Sequence, residues 1–319
     1  ESIGDLIHAE TELQRQQAIK LIQGNASNHY NSLREKLVKS LSYIEAKIDF
    51  AEEDLPANVL KEVQSSIKQV HSDIKNILED QKIGEKIRDG FRISIIGDVN
   101  AGKSSLLNLL SKREAAIVSE QEGTTRDVIE TYLNIDGYPV ILADTAGIRK
   151  VKNKVEKEGI KRAIKKAKDA DLTLVMIDAS KKIINKDLKK LINKDCILVF
   201  NKSDLSKKNP KNEFKKNDQI LISVKTNKNI NSLIKIIKER LSKKFMKANN
   251  ILVTRERHRN KLNAALKEIE KFLKKDQKKE IETAAEDLRL ATRHLGSIVG
   301  KVDVEEILGS IFQDFCIGK

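Results

Sequence analysis

Gly97-Asp98-Val99-Asn100-Ala101-Gly102-Lys103-Ser104 is a glycine-rich run ending in a lysine and a hydroxyl. In the pattern G-x-x-x-x-G-K-[ST] the glycines let backbone N–H groups wrap an anion. The lysine neutralises that anion, and the hydroxyl can ligate Mg²⁺. Ser105 follows directly. The chemistry suited to such a set is binding of a nucleotide's phosphates. Asp144-Thr145-Ala146-Gly147 adds a carboxylate able to hold Mg²⁺ through water and a glycine amide able to sense a γ-phosphate. Asn201-Lys202-Ser203-Asp204 supplies a carboxylate that can accept from both N1–H and the exocyclic amine of guanine. Adenine lacks that donor pair, so this motif selects GTP over ATP. Asn201 can brace the loop, and Lys202 can cover the face of the base. Ser223-Val224-Lys225 stands where a backbone N–H would meet the guanine O6. Each motif is weak alone. Four in this order, each at the end of a strand, are specific.

The elements that must position these residues are legible as alternating patterns. Short β-rich runs occupy Phe91–Gly97, Thr131–Ile135, Pro139–Ala143, Leu172–Asp178, Ile197–Asn201 and Ile220–Val224. Helical stretches separate most of them. The reading is a mostly parallel six-stranded sheet with helices on both faces, a P-loop α/β domain, and nucleotide sites belong at the carboxyl ends of such strands. Before it, Leu33, Leu37, Leu41 and Ile44, then Val63, Ile67, Val70, Ile74 and Ile77, recur at helical spacing, with Pro56 between them. After it, Leu262, Leu266, Ile269 and Leu273 precede Leu288, Ala291, Leu295 and Ile298. Two amphipathic helical segments bury their faces most simply on each other. The expected architecture is therefore a GTPase domain at 91–242 inserted into one all-α bundle made of 1–90 and 243–319.

Gly123-Thr124-Thr125-Arg126-Asp127 lies between the first helix and the second strand. One of its threonines is expected to ligate Mg²⁺ and order the loop when GTP is bound. Ile148 follows Gly147, where many small GTPases carry the glutamine that orients water. Another group must do that work, and Glu156 and Glu158 lie just downstream. A monovalent cation could supply the positive charge that an arginine finger brings elsewhere, and Asn100 is suitably polar to hold one.

The chain has 319 residues, enough for two domains at about 150 residues each. Lys and Arg number 61 against 47 Asp and Glu, a formal charge of +14, so an anionic partner fits, although much of the lysine reads as scattered over solvated faces. The densest basic stretch is 149–168. No apolar run approaches the ~18 residues needed to span a bilayer, which speaks against an integral membrane chain, and with only two cysteines, Cys196 and Cys316, a disulfide scaffold is excluded. No signal peptide is legible, and a cytoplasmic protein is expected.

The chain resembles the MnmE (TrmE) family of tRNA-modification GTPases. The resemblance runs from Asp5-Leu6-Ile7 to the end. It rests on Asn100–Asn108, Arg113–Val118, Gly123–Asp127, Asp144–Arg149 and the terminal Cys316-Ile317-Gly318-Lys319. The family also carries an N-terminal folate-binding domain, which this chain is expected to lack. The resemblance implies a K⁺-activated, Mg²⁺-dependent GTPase whose GTPase domains self-associate on GTP binding. It implies K⁺ held by Asn100, Ser119, Gln121 and Thr124, Mg²⁺ held by Ser104 and Thr125, and Glu156 as the catalytic residue orienting water. It places Cys316 in the modification chemistry and Lys319 beside the folate, a tetrahydrofolate derivative that donates one carbon. It implies a flavoprotein partner, MnmG (GidA), and tRNA as the shared substrate, carboxymethylaminomethylated at carbon 5 of the wobble uridine. Val99 departs from the family's usual proline, and Ser119-Glu120-Gln121-Glu122 is more acidic than usual. Two rival readings are a ribosome-assembly RNA-binding GTPase and a dynamin-like membrane GTPase. The first lacks an RNA-binding module here, the second an apolar paddle or lipid anchor, and the terminal motif separates both from the MnmE family.

Overall fold

The computed structural model describes residues 1–50, 58–80, 82–113, 116–117, 130–144, 170–181, 186–205, 217–245, 251–276 and 279–300. The chain divides into two compact units. One comprises Glu1–Ile3, Gln17–Glu85 and Ala248–Lys319, the other Gly4–Gln16 and Lys86–Lys247.

The second unit is built on a sheet. Its strands are β1 (Phe91–Gly97), β2 (Ala116–Ile117), β3 (Glu130–Ile135), β4 (Tyr138–Asp144), β5 (Leu172–Asp178), β6 (Cys196–Asn201) and β7 (Asp218–Leu221), in the order β2-β3-β4-β1-β5-β6-β7. The β1, β4, β5, β6 and β7 pairings are parallel, while β3 runs antiparallel to β4 and β2 to β3. All six expected strands are present. The added β2 has only two residues, too short to show a period in the sequence. Every residue of β5 and β6 is buried, which is why both read as unbroken apolar runs. The strand expected to reach Val224 stops at Leu221, because Ser223 turns away to exchange two backbone hydrogen bonds with Lys228. Short helices α1 (Ser2–Ile7), α2 (Glu12–Ile22) and α5 (Ile83–Asp89) precede β1 in the chain; helix α6 (Lys103–Arg113) follows it and is pinned by buried Leu106, Leu107 and Leu110. Helix α7 (Lys186–Leu191) precedes β6, and α8 (Ile230–Phe245) follows β7.

The first unit is a bundle. Helices α3 (Asn25–Asp49) and α4 (Val59–Leu78) pack with α9 (Glu256–Lys274) and α10 (Ile281–Val299) around one apolar core. Leu37, Leu41, Ile67, Ile74, Ile269, Phe272, Leu288 and Leu295 are all fully buried in it. Burying a side chain of that size contributes about 1.5–3 kcal/mol. On α9 the innermost stripe is Leu262, Ala265, Ile269 and Phe272, with Leu266 and Leu273 at its margin. The segments before and after the α/β unit therefore share a core, so the GTPase fold is an insertion in a helical domain.

The two segments of the bundle also meet at a tight polar junction. Arg259 of α9 is buried and donates to both carboxylate oxygens of Glu85, at 2.5 and 2.8 Å. It also donates to Asp80 at 2.7 Å and to the Leu78 carbonyl at 3.1 Å. Gly84 lies against the backbone of Val253, where a Cβ would come within 1.9 Å of the Val253 carbonyl oxygen. Only glycine permits that approach. Tyr30 donates its hydroxyl to the neighbouring Leu252 carbonyl at 3.0 Å.

Candidate nucleotide-binding site

The loop between β1 and α6 has its shape fixed by a few backbone choices. Asn100 sits at φ 63°, a left-handed conformation that asparagine tolerates better than most residues. The Ala101 N–H donates to the Asp98 carbonyl at 3.2 Å. Lys103 turns its ammonium back over the loop, donating to the Gly97 and Asp98 carbonyls at 2.8 Å each. Ser104 and Ser105, both exposed, stand in the first turn of α6. The N–H groups of a helix's first turn have no partner inside the helix, and they face the loop mouth with the positive end of the helix dipole. That arrangement suits an anion.

Asn201, the last residue of β6, ties this loop to the others. It is buried, its Nδ2 donates to the Ala101 carbonyl at 2.9 Å, and its Oδ1 accepts from the Val224 N–H at 3.1 Å. The carboxyl ends of β1, β6 and β7 are thus joined through one side-chain amide. Gly102 packs so closely here that a Cβ would lie 2.3 Å from Asn201 Nδ2, and its φ of +99° is itself hard for any other residue.

Ser223 donates to Asp204 at 2.6 Å, and its oxygen accepts from the Thr226 N–H. That hydrogen bond, with Lys225 and Lys202 nearby, holds the exposed Asp204 carboxyl below the ordinary carboxylate range. It is ionised at neutral pH. Lys202, at φ 66°, extends its ammonium to Asp178 at 2.6 Å. Asp178 lies outside every nucleotide motif of the sequence. Its one signal was its place at the carboxyl end of β5. Burial alone would raise its carboxyl. Hydrogen bonds from Lys202 and Ser180 outweigh that and hold it low. The contribution of this pairing is therefore full above the ordinary value of 3.8 and is lost as pH falls through the lowered one.

The residues brought together are Asn100, Ala101, Gly102, Lys103, Ser104, Asn201, Lys202, Asp204, Ser223 and Val224, with exposed Lys225 following in the Ser223–Lys228 turn. Asp144 ends β4 beside β1, opposite Ile95. Ser119, Gln121, Thr124, Thr125, Thr145, Ala146, Gly147, Glu156, Cys316 and Lys319 lie outside the described residues. Among the described residues no group of three or more acidic, histidine or cysteine side chains is placed to hold a metal, and no helix is long and apolar enough to cross a membrane.

The family model for the MnmE helical domain matches residues 1–316. The tRNA modification GTPase MnmE of Pelagibacter ubique is 59% identical over 319 residues, covering 100% of this chain and 72% of the relative. The chain belongs to the MnmE family of tRNA modification GTPases. MnmE of Rickettsia bellii is 45% identical over the whole chain and 72% of its own length, and that of Paramagnetospirillum magneticum is 41% identical with the same coverage. Membership makes the chain a GTP-binding enzyme linked to tRNA modification. Among solved structures, the elongation factor SelB of Methanococcus maripaludis is 20% identical with a TM-score of 0.36, over 48% of this chain and 34% of that one, a likeness too loose to bear on function. The MnmE helical model spans the insertion, in keeping with a bundle interrupted by the GTPase fold.

Proposed function

We propose that this MnmE-family chain hydrolyses GTP with Mg²⁺ and K⁺ and thereby drives modification of the wobble uridine of certain tRNAs, in the cytoplasm and together with the flavoprotein MnmG. The observation that carries the GTP reading is the Asn201 amide, which fastens the phosphate loop to the base-reading loops in one site. Lys103 and the amides of Ala101 through Ser105 hold the phosphates. Ser104 and Thr125 are assigned to Mg²⁺, and the exposed Ser104 hydroxyl at the mouth of α6 fits that role. Asp144, Thr145, Ala146 and Gly147 are assigned to the γ-phosphate end, the Asp144 carboxylate to Mg²⁺ through water. Asn100, Ser119, Gln121 and Thr124 are assigned to K⁺. K⁺ bound there supplies positive charge beside the transferring phosphoryl group. Glu156 orients the attacking water, a task Ile148 cannot perform.

Asp204 reads N1–H and the 2-amino group of guanine, Val224 and Lys225 approach O6, and Lys202 lies along the ring. Asp204→Asn replaces an acceptor by an amide that can also donate, and xanthine carries an oxygen where guanine has its amine. The variant is expected to lose about two orders of magnitude in GTP affinity, the cost of leaving a charged acceptor pair unmade, and to favour XTP. Competition of XTP and GTP against a fluorescent nucleotide measures it. Unchanged GTP preference would remove Asp204 from the base site.

The domain partition follows the same reading, with 91–242 as the GTPase domain and 1–90 plus 243–319 as the two parts of the helical domain. GTPase domains are proposed to self-associate when GTP is bound. Cys316 and Lys319 are assigned to the folate-dependent step, using a tetrahydrofolate derivative. The test compares GTP hydrolysis with Mg²⁺ in KCl and in NaCl at equal ionic strength, with Glu156→Ala alongside. The expected result is K⁺-specific stimulation of at least about tenfold that the variant loses, a floor set below the roughly 10²–10³ that one preorganised charge-stabilising donor supplies. Equal rates in both salts would overturn the cation mechanism and leave a GTPase that needs an external activator.

A further inference from the structure

Asp178 belongs to none of the nucleotide motifs, yet it is built into the site. It closes β5 opposite Asn201 of β6, and the Ala179 N–H donates to the Asn201 carbonyl at 2.8 Å. That register places its carboxylate one residue from Lys202. One oxygen, Oδ2, accepts from the Lys202 ammonium at 2.6 Å. The other, Oδ1, accepts from the Ser180 N–H at 3.0 Å and the Ser180 hydroxyl at 2.6 Å. Both oxygens are therefore fixed, and the side chain is only 7% exposed, against 30% for Lys202. A lysine in a left-handed backbone conformation, with its ammonium tied to a buried carboxylate, has few rotamers left for its four-carbon stem.

We propose that Asp178 is a positioning residue for the purine, anchoring the Lys202 ammonium so that the aliphatic stem of Lys202 is laid out in advance as an apolar face for the base. The inference rests on the guanine-site reading above. An untethered lysine loses its rotamer freedom when a base settles on it, and that loss subtracts from affinity. A tethered one has lost it on folding. Because the stem meets the ring face and not its edge, Asp178 contributes nothing to telling guanine from hypoxanthine. That discrimination belongs to Asp204.

The test uses the whole chain with Mg²⁺ and fluorescent GDP, IDP and ADP, IDP being GDP without the 2-amino group. Asp178→Asn keeps an acceptor for Ser180 but removes the charge that holds Lys202. It is expected to weaken GDP and IDP by the same factor, roughly threefold to tenfold, the range for freezing one long side chain. The GDP:IDP ratio stays at the wild-type value. In a Lys202→Met background, Asp178→Asn is expected to cause no further loss, because its only route to the base has gone. Unchanged affinity in Asp178→Asn would overturn the proposal. So would a collapsed GDP:IDP ratio, which would mean that Asp178 merely fastens the loop carrying Asp204. Additive losses in the double variant would overturn it as well. Wild-type chain that failed to prefer GDP to IDP and ADP would overturn the guanine-site reading itself, an outcome that the wild-type titration alone reveals.

Discussion

Gly102→Ala is expected to weaken guanine-nucleotide binding by roughly two to three orders of magnitude while leaving the chain folded. The added methyl meets Asn201 Nδ2 at 2.3 Å, and Asn201 is not the tip of a flexible chain but a buried residue held at both ends. Accommodating it requires the amide to leave the Ala101 carbonyl. A buried polar group left unpaired costs about 1–3 kcal/mol. Alanine at a φ of +99° adds about 1–2 kcal/mol of backbone strain. Together these correspond to a loss of roughly two to three orders of magnitude, because the phosphate loop and the base-reading loops are displaced at once. Titration with fluorescent GDP measures the loss, and far-UV circular dichroism reports whether the helices persist. Affinity within threefold of wild type would show that Asn201 does not couple the loops.

Arg259→Ala is expected to destabilise the helical unit by about 3–5 kcal/mol, the range for breaking a buried ion pair from one side. The substitution leaves Glu85 and Asp80 facing each other without the guanidinium that satisfies both. The charge of Arg259 itself is secure. Burial alone would work against it, but Glu85 and Asp80 more than compensate and raise its pKa further. Arg259→Lys should recover only part of the loss, since an ammonium cannot form the two-pronged contact with Glu85. Arg259→Met combined with Glu85→Gln and Asp80→Asn should recover more, because no buried charge is then left over. Calorimetric melting of the four proteins orders them. A melting temperature for Arg259→Ala within about 1 °C of wild type would refute the estimate.

What the sequence disclosed and what it withheld divide along a physical line. Motifs such as Gly97–Ser104 and Asn201–Asp204 were readable because their chemistry is local. A loop that wraps phosphate needs its glycines, lysine and serine within eight residues. The strands were readable because β5 and β6 are buried on both faces and so lack polar interruptions. The contacts that make those motifs one site were not readable. Asn201 was legible as a brace but its partner was not, since it reaches Ala101 across 100 positions, and Asp178 reaches Lys202 across 24. No spacing rule foretells either, since they follow from strand order. The Arg259–Glu85 pair spans 174 positions and was equally hidden, because a charged residue in a lysine-rich helix looks like solvated surface until the fold buries it. Strand β2 was missed for a different reason, being too short to carry any pattern.

The close approach of Gly84 to Val253 also bears on the order in which the chain acquires its structure. Both residues belong to the helical unit, one just before the α/β segment and one just after. In an unfolded chain, bringing them together means closing a loop the length of an entire domain before any contact between the two halves of the bundle can repay it. Closure entropy grows only logarithmically with length, about 0.6 kcal/mol per doubling, yet for so long a loop it still slows the search. In the folded α/β unit, with its mostly parallel sheet, the first and last helical turns lie close, since Lys86 and Lys244 both reach Asp171, so condensation of that unit shortens the loop the bundle's two halves must close. The inserted domain, once folded, lowers the closure cost of the bundle whose sequence it interrupts.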